Sequence, residues 1–242
     1  MNHRVHRSRF ISWLWIVAVS AMTMATGLAQ FTSAEEMKET DQILNQAAAA
    51  WQNFMQDPEM SGFRDHVKHA KGVLIIPRLM KGAFLLGVEG GNGVLFVRDE
   101  NTEVWSEPAF YETSTASFGL QAGAESSEAI LIVQTVKGIE SLLSNSFKLG
   151  GDVSAAVGTK GSGMEGSTSA NLGKDFVTYS RSKGLFAGAS FEGASIRTRD
   201  DLNKAYYGSA VRPSDIVLVR TIQANPSSKQ LRDAVVTAAG GK

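Results

Sequence analysis

The chain has 242 residues, of which 43% are hydrophobic and 20% charged, with 24 basic residues against 24 acidic ones and no cysteine. That composition excludes a disordered tail and a multi-pass membrane protein, and the charge balance gives no bulk attraction to nucleic acid. Without thiols there are no disulfides and no acylated lipoprotein cysteine, so stability has to come from a packed core.

His3, Arg4, His6, Arg7 and Arg9 form a basic leader ahead of the uncharged run FISWLWIVAVSAMTMATGLA, Phe10 to Ala29. A basic start, an apolar middle and small residues at Gly27 and Ala29 are the plan of a secretory signal peptide over residues 1–29. Cleavage is expected before Gln30, with cleavage after Ala34 as the alternative. The strongly apolar part ends near Ala25, short of the about 20 residues of a spanning helix, and an uncut segment would instead be an inner-membrane anchor. Removing residues 1–29 takes away three arginines and no acid, so 21 basic residues (24 minus three) face 24 acidic ones, a net charge of −3. The expected location is periplasmic or envelope-associated.

Ser33 and Glu36 read as a capping box, and Met37, Leu44, Ala47, Ala48, Trp51, Phe54 and Met55 follow at helical spacing until Asp57-Pro58. A second short helix fits Ser61 to Ala70, with Phe63 and Val67 inward and Gly72 closing it. From Gly72 onward, runs rich in β-branched and aromatic residues alternate with turn residues, predicting strands in GVLII, AFLLGV, GVLFVR, AFYETS, SFGLQAG and EAILIVQ. TVKGIESLLSN reads as a crossing helix. DVSAAVG and GSTSANL read as narrow strands joined by a glycine loop at Gly161 to Gly166, and FVTYSRS, LFAGASF and GASIRT complete the series. DDLNKAYYG, DIVLVRTI and SSKQLRDAVVTAA supply the later helical segments. The expected fold class is α+β: a largely antiparallel, barrel-like sheet with N-terminal helices, one crossing helix and C-terminal helices. The expected divisions are N-terminal helices over 30–71, a β-rich domain over 72–208 and a helical tail over 209–242.

Inventory argues against an enzyme. After cleavage the histidines are His66 and His69, and there is no G-x-S-x-G elbow, so hydrolysis by a serine or cysteine nucleophile lacks its parts. Two histidines among lysines do not make a four-ligand zinc site, so neither metal nor cofactor is expected. The paired acids Glu35-Glu36, Asp99-Glu100 and Asp200-Asp201 sit at helix starts or turns, where they serve the helix dipole or solubility. The stretch GVEGGNGVLF suggests a phosphate loop, but a strand pattern rather than a helix follows Gly93, and no GK[ST] is present. Gly90, Gly91, Asn92 and Gly93 are therefore read as a hairpin turn.

One charge feature stands out. Between His66 and Val88 the chain carries Lys68, Lys71, Arg78 and Lys81 with no acid, beside the apolar residues Leu79 and Met80. These are the candidate headgroup contacts and membrane-contact residues; the plainer reading is a solvated helix and turn.

The blocks AKG before a strand and proline, W-S-x-P-A, S-F-G-L-Q-x-G and S-R-S-K-G-L-F-A-G resemble the SYLF lipid-binding domain family. They run in the family's order from Ala70 to about Gly208. The resemblance implies a compact, mostly antiparallel domain that binds phospholipids and is not an enzyme. It implies candidate headgroup contacts at Lys68, Lys71, Arg78 and Lys81, whereas Trp105, Phe110, Tyr111, Phe118 and Phe186 fit strand packing. The acidic start at Glu35, Glu36, Glu39 and Asp41 departs from the basic N-terminal segment of eukaryotic members. An exported member would meet phosphatidylglycerol, cardiolipin or lipopolysaccharide.

The reading is an exported, non-enzymatic protein that associates with anionic phospholipid or a membrane surface and not with nucleic acid. Two alternatives are a carrier of a fatty acid or other apolar ligand in an internal cavity, and a structural envelope protein with an unidentified protein partner.

Overall fold

The computed structural model describes residues 34–82, 87–117, 125–158, 173–182, 185–186, 191–220, 222–223 and 225–241. The leader at 1–29, the capping box at Ser33, the Gly161 to Gly166 loop and GSTSANL lie outside these residues, as do most of SFGLQAG and parts of AFLLGV and LFAGASF.

The order begins with α1, helical over residues 34–56, then α2 (Ser61–Lys68), with Pro58–Met60 as a 3-10 turn capped by Asp57. Four long strands follow: β1 (Gly72–Gly82), β2 (Gly87–Val97), β3 (Ala109–Ser117) and β4 (Glu125–Val133). After α3 (Val136–Leu142) come the short strands β5 (Ser146–Lys148) and β6 (Ala155–Val157), then β7 (Phe176–Ser182), β8 (Leu185–Phe186) and β9 (Ser195–Thr198). Two helices, α4 (Asp200–Tyr207) and α5 (Lys229–Ala238), close the chain, with a π-helical turn at Asp215–Val219 between them.

Eight strands form a continuous path β5-β9-β3-β2-β1-β4-β7-β6, with β8 paired on β7. Every pairing is antiparallel except β6 with β7. β5 and β6 are the two ends of this path, yet only residues 149–154 separate them, and Gly150 N–H to Val153 O at 2.7 Å tightens that link into a turn. So short a link brings the ends of the sheet together and curls it into a barrel-like form.

Both faces of the sheet are covered, which explains the near-continuous apolar strands. On the outer face Val73, Ile75, Val94, Phe96, Phe110, Ile130, Ile132 and Tyr179 meet Leu44, Trp51 and Phe54 of α1, Phe63 of α2, Leu202 of α4 and Leu231 and Val235 of α5. On the inner face Leu74, Ile76, Leu95, Leu131 and Tyr111 meet Ile139 and Leu142 of α3 together with Ile216 and Val217. The N-terminal helices and the C-terminal tail thus bury their apolar stripes in the same core as the β-rich segment. Met37, assigned to the buried stripe of α1, is instead 50% exposed, because the stripe that reaches the sheet starts at Ile43.

Three segments join at Asp175, which is 6% exposed. Its carboxylate accepts from Thr135 Oγ1 (2.6 Å), and from the backbone N–H and Oγ of Ser154 (both 2.9 Å). Thr135 in turn caps α3 by accepting from Gly138 N–H at 3.1 Å. Burial pushes the Asp175 pKa up, but the hydrogen bonds from Thr135 and Ser154, with Lys137 nearby, outweigh it and hold the carboxyl below its ordinary range. A depressed folded-state pKa stabilises the fold above the unfolded carboxylate value and loses that contribution as pH falls through the folded one. Urea unfolding from pH 7 down to about pH 3, across the about 3.9 of a free aspartate, should therefore show a fall in stability that Asp175→Asn makes shallower. Equal slopes in the two proteins would refute it.

Candidate functional site

β1 carries an extra residue between Ile75 and Met80. Ile75 lies opposite Val94 and Met80 opposite Gly90 on β2, so five steps on β1 match four on β2; on the other side Ile76 and Leu79 pair with Ala129 and Ser127 of β4. This is a β-bulge. Pro77 lies within it, where the ladder is interrupted and its missing N–H costs little. The bulge turns Arg78 out to solvent, while Leu79 points into the inner core and Met80 is 38% exposed.

The glycines of GVEGGNGVLF belong to this feature and not to a turn. β2 runs unbroken from Gly87 to Val97, and the β1–β2 connection falls at residues 83–86. A Cβ on Gly91 would lie 2.2 Å from the Arg78 carbonyl oxygen, and one on Gly93 would lie 2.8 Å from that of Ile75. The glycines let the bulged backbone pass. Asn92, between them, donates to Glu39 of α1 (2.7 Å) and accepts from Arg199 (2.8 Å), which also grips Asp201 of α4. That guanidinium holds the Asp201 carboxyl below its ordinary range.

Arg78 stands between two clefts beneath α1. One, of about 360 Å³, is lined by Gln46, Asn53, Pro77, Ser126, Ser127, Glu128 and Arg181; the other, of about 290 Å³, by Glu39, Gln42, Ile43, Met80 and Asn92. Arg181 faces Asp57 and Glu128, each at 3.4 Å, and lies 5.7 Å from the centre of the Phe54 ring. Glu128 also accepts from the Asn53 amide at 2.8 Å. Among the described residues no carboxylate pairs with Arg78, whose Nε lies 3.2 Å from Met80 Sδ.

The six residues picked out from the sequence do not form one surface. Lys68 pairs with Asp65 (2.9 Å), and Lys71 pairs with Glu100, an acid the linear reading set apart from the basic stretch. Lys71 lies just before β1, seven residues from Arg78, which at about 3.3 Å per residue is roughly 23 Å, well beyond a Debye length of about 8 Å; Lys68 lies further back, at the end of α2. Lys81 is in register with Glu89 on β2 and Glu125 on β4, and its side chain lies outside the described residues. Leu79, expected to touch a membrane, is 2% exposed, because the bulge reverses which neighbours face inward. Arg78 and Met80 remain together at the surface.

His66 is a structural residue: its Nδ1 lies 2.7 Å from Gly62 O and 2.9 Å from the Tyr179 hydroxyl. Asp99 accepts from Asn101 and Thr102 and closes a turn. A carrier's ligand would need room inside the sheet, where Leu74, Leu95, Leu131, Phe147 and Ile196 already meet. Sequence reasoning missed Asn53, Ser126, Ser127, Glu128 and Arg181. Arg181 was in view within the S-R-S-K-G block, but nothing linear joins it to Arg78.

Comparison with known proteins places this arrangement. The sequence profile of Ysc84, described as "Las17-binding protein actin regulator", matches residues 114–238, more than half of the chain. The chain belongs to the Ysc84 family. It is 31% identical over 152 residues to the SH3 domain-containing YSC84-like protein 1 of Bos taurus, covering 62% of this chain and 44% of that protein. It is 35% identical over 147 residues to the LAS seventeen-binding protein 3 of Saccharomyces cerevisiae (60% and 32%), and 32% identical over 168 residues to that organism's Protein YSC84 (68% and 35%). The chain therefore matches less than half the length of each, and none of the three is named as an enzyme. Within the site, Ser126, Ser127, Glu128 and Arg181 fall inside the Ysc84 range, whereas Asn53 and Arg78 precede it.

The glycine contact is testable by itself. Gly91→Ala puts a methyl group against the Arg78 carbonyl, and should cost about 1–3 kcal/mol in urea unfolding, as overpacking does. Gly90→Ala, whose Cβ would stand 3.2 Å from Thr113 O, should cost less. Equal losses would remove the special role of Gly91.

Proposed function

We propose that this protein is an exported, non-enzymatic member of the Ysc84 family that associates with anionic phospholipid surfaces through the end of the sheet where Arg78 and Met80 emerge. The observation that carries the reading is the bulge in β1, which presents an exposed cation without a carboxylate partner among the described residues next to an exposed thioether. A cation beside an apolar side chain is the pairing used at a lipid interface, where charge attraction adds to shallow insertion. One arginine contributes about 1 kcal/mol near such a surface, so binding by this end is weak, salt-sensitive and dependent on cooperating contacts. Lys68 and Lys71 contribute little, since Asp65 and Glu100 already offset them.

Co-sedimentation with phosphatidylglycerol and phosphatidylcholine vesicles tests this. Native protein should prefer the anionic vesicles and lose that preference in high salt. Arg78→Glu reverses one charge, a change of two, and should weaken binding by about tenfold or more at about 1 kcal/mol per charge. Lys68→Ala should stay within about twofold of native. Equal binding to both lipids, or a larger loss from Lys68→Ala than from Arg78→Glu, would refute the reading.

Export has its own measurement. Intact-mass analysis of the chain recovered from expressing cells should find it starting at Gln30, once Met1 to Ala29 has been removed. A chain that keeps Met1 through Ala29 and fractionates with the inner membrane would replace export with anchoring.

A further inference from the structure

We propose that the cleft between α1 and β4, bounded by Arg78 and Arg181, is a binding site for a phosphate ester. This deepens the membrane reading and rests on it only for the source of the ester, a phospholipid headgroup or a soluble glycerol phosphate.

The first argument is the lining. Gln46 and Asn53 of α1, Ser126 and Ser127 of β4, Arg78 of β1 and Arg181 of β7 face one space of about 360 Å³. Each carries at least one hydrogen-bond donor, whereas an apolar ligand would need apolar walls. Donors converging from four elements suit an acceptor-rich ligand with oxygens on more than one side, as a phosphate ester has.

The second argument is the charge balance. Glu128 is the acid of the cleft, and it is already engaged by Asn53 and Arg181. Asp57, 3.4 Å from Arg181 Nε, and the Phe54 ring hold the guanidinium in place before any ligand arrives. Preorganisation of this kind lowers the ordering cost of binding. Arg78 then supplies the cation that no described carboxylate neutralises, and the Ser126 and Ser127 hydroxyls have no hydrogen-bond partner among the described residues. An oxyanion supplies what both lack.

The third argument is position. The cleft opens beside Arg78, at the surface where Met80 is exposed, so a headgroup could enter while the rest of its lipid stays in the bilayer. The second cleft does not offer this chemistry, because Glu39 lines it and Asn92 is held by Glu39 and Arg199.

Glycerol 3-phosphate titrated into the full chain, followed by amide and guanidinium NMR shifts, is the direct test. Saturable shifts should centre on Asn53, Arg78, Ser126, Ser127 and Arg181. Ser126→Phe, which fills an exposed side of the cleft and removes no charge, should weaken that binding by about tenfold or more without lowering the melting temperature by more than a few degrees; a phenyl ring also blocks the serine's hydrogen bond. Arg181→Lys should weaken it as well, since lysine keeps the charge but not the planar fork. If glycerol 3-phosphate also displaces the protein from phosphatidylglycerol vesicles, the ester is a headgroup. If it binds in the cleft while vesicles do not bind at all, the cleft stands, the ester is soluble and the membrane reading falls. Absence of saturable shifts, or native-strength ester binding by Ser126→Phe, overturns the cleft. In that case vesicle binding that still depends on Arg78 leaves the membrane reading standing alone.

Discussion

The site depends on the close approach of the β1 backbone to β2 at Arg78, where no side chain fits on Gly91. An extra residue in β1 needs space, and two glycines on the neighbouring strand provide it. Bulges shift side chains from one face to the other, and here the shift sends Leu79 into the inner core and Arg78 outward. Without the bulge the alternation set by Val73 and Ile75 would continue through the strand, and Arg78 would not stand beside both clefts. The glycine-rich stretch and the basic stretch, separate in sequence, are two sides of one device.

Burial on both faces leaves the sheet few places for polar chemistry. β1 and β4, neighbours inside the path, give both of their faces to core residues over most of their length. Among the described residues of these two strands, side chains reach water at the bulge and beyond it, at Pro77, Arg78 and Met80 on β1 and at Ser126 to Glu128 on β4. The polar end of the sheet is where α1 crosses, and its Gln46 and Asn53 meet those strand ends across the cleft. At the other end each of three cations has its own carboxylate, Lys71 with Glu100, Arg98 with Glu103 and Arg220 with Asp99. Position along β1 therefore separates cations that adjacency in sequence had grouped.

The fold is legible in the sequence where periodicity and turn chemistry are local. β7 at Phe176–Ser182, α3 with its Thr135 cap and α4 ending at Gly208 with φ of 70° all follow from short-range signals. Strands buried on both faces are legible because their continuous apolar runs need no alternation. The misreadings share a cause: each depended on a neighbour far along the chain. Gly90 to Gly93 have turn composition, and only the backbone of Arg78 explains them as strand residues. Leu79 looked exposed beside cations because a bulge cannot be seen in one strand alone. Lys71 looked unpaired because Glu100 is 29 positions away. The site was legible as one residue, Arg78, and its partners were not, because α1, β4 and β7 meet it only after folding.

The same topology bears on where the domain begins. Residues 114–238 match the Ysc84 profile, and they contain β4, β7 and β9 but only the end of β3. In the sheet, β3 and β4 are not neighbours; β2 and β1 lie between them. A chain starting at residue 114 would therefore leave β4 with an open edge, and the β9 side with no path of hydrogen bonds to the β7 side except through the turn at residues 149–154. Exposed central edges are unstable, and the inner face of β4 would lose Leu74 and Ile76 as partners. The physical domain must extend upstream at least to Gly72, and α1 and α2 extend it further by covering the outer face of β1. The cleft at Arg78 spans that join, built half from the profile-matched strands and half from the segment before them.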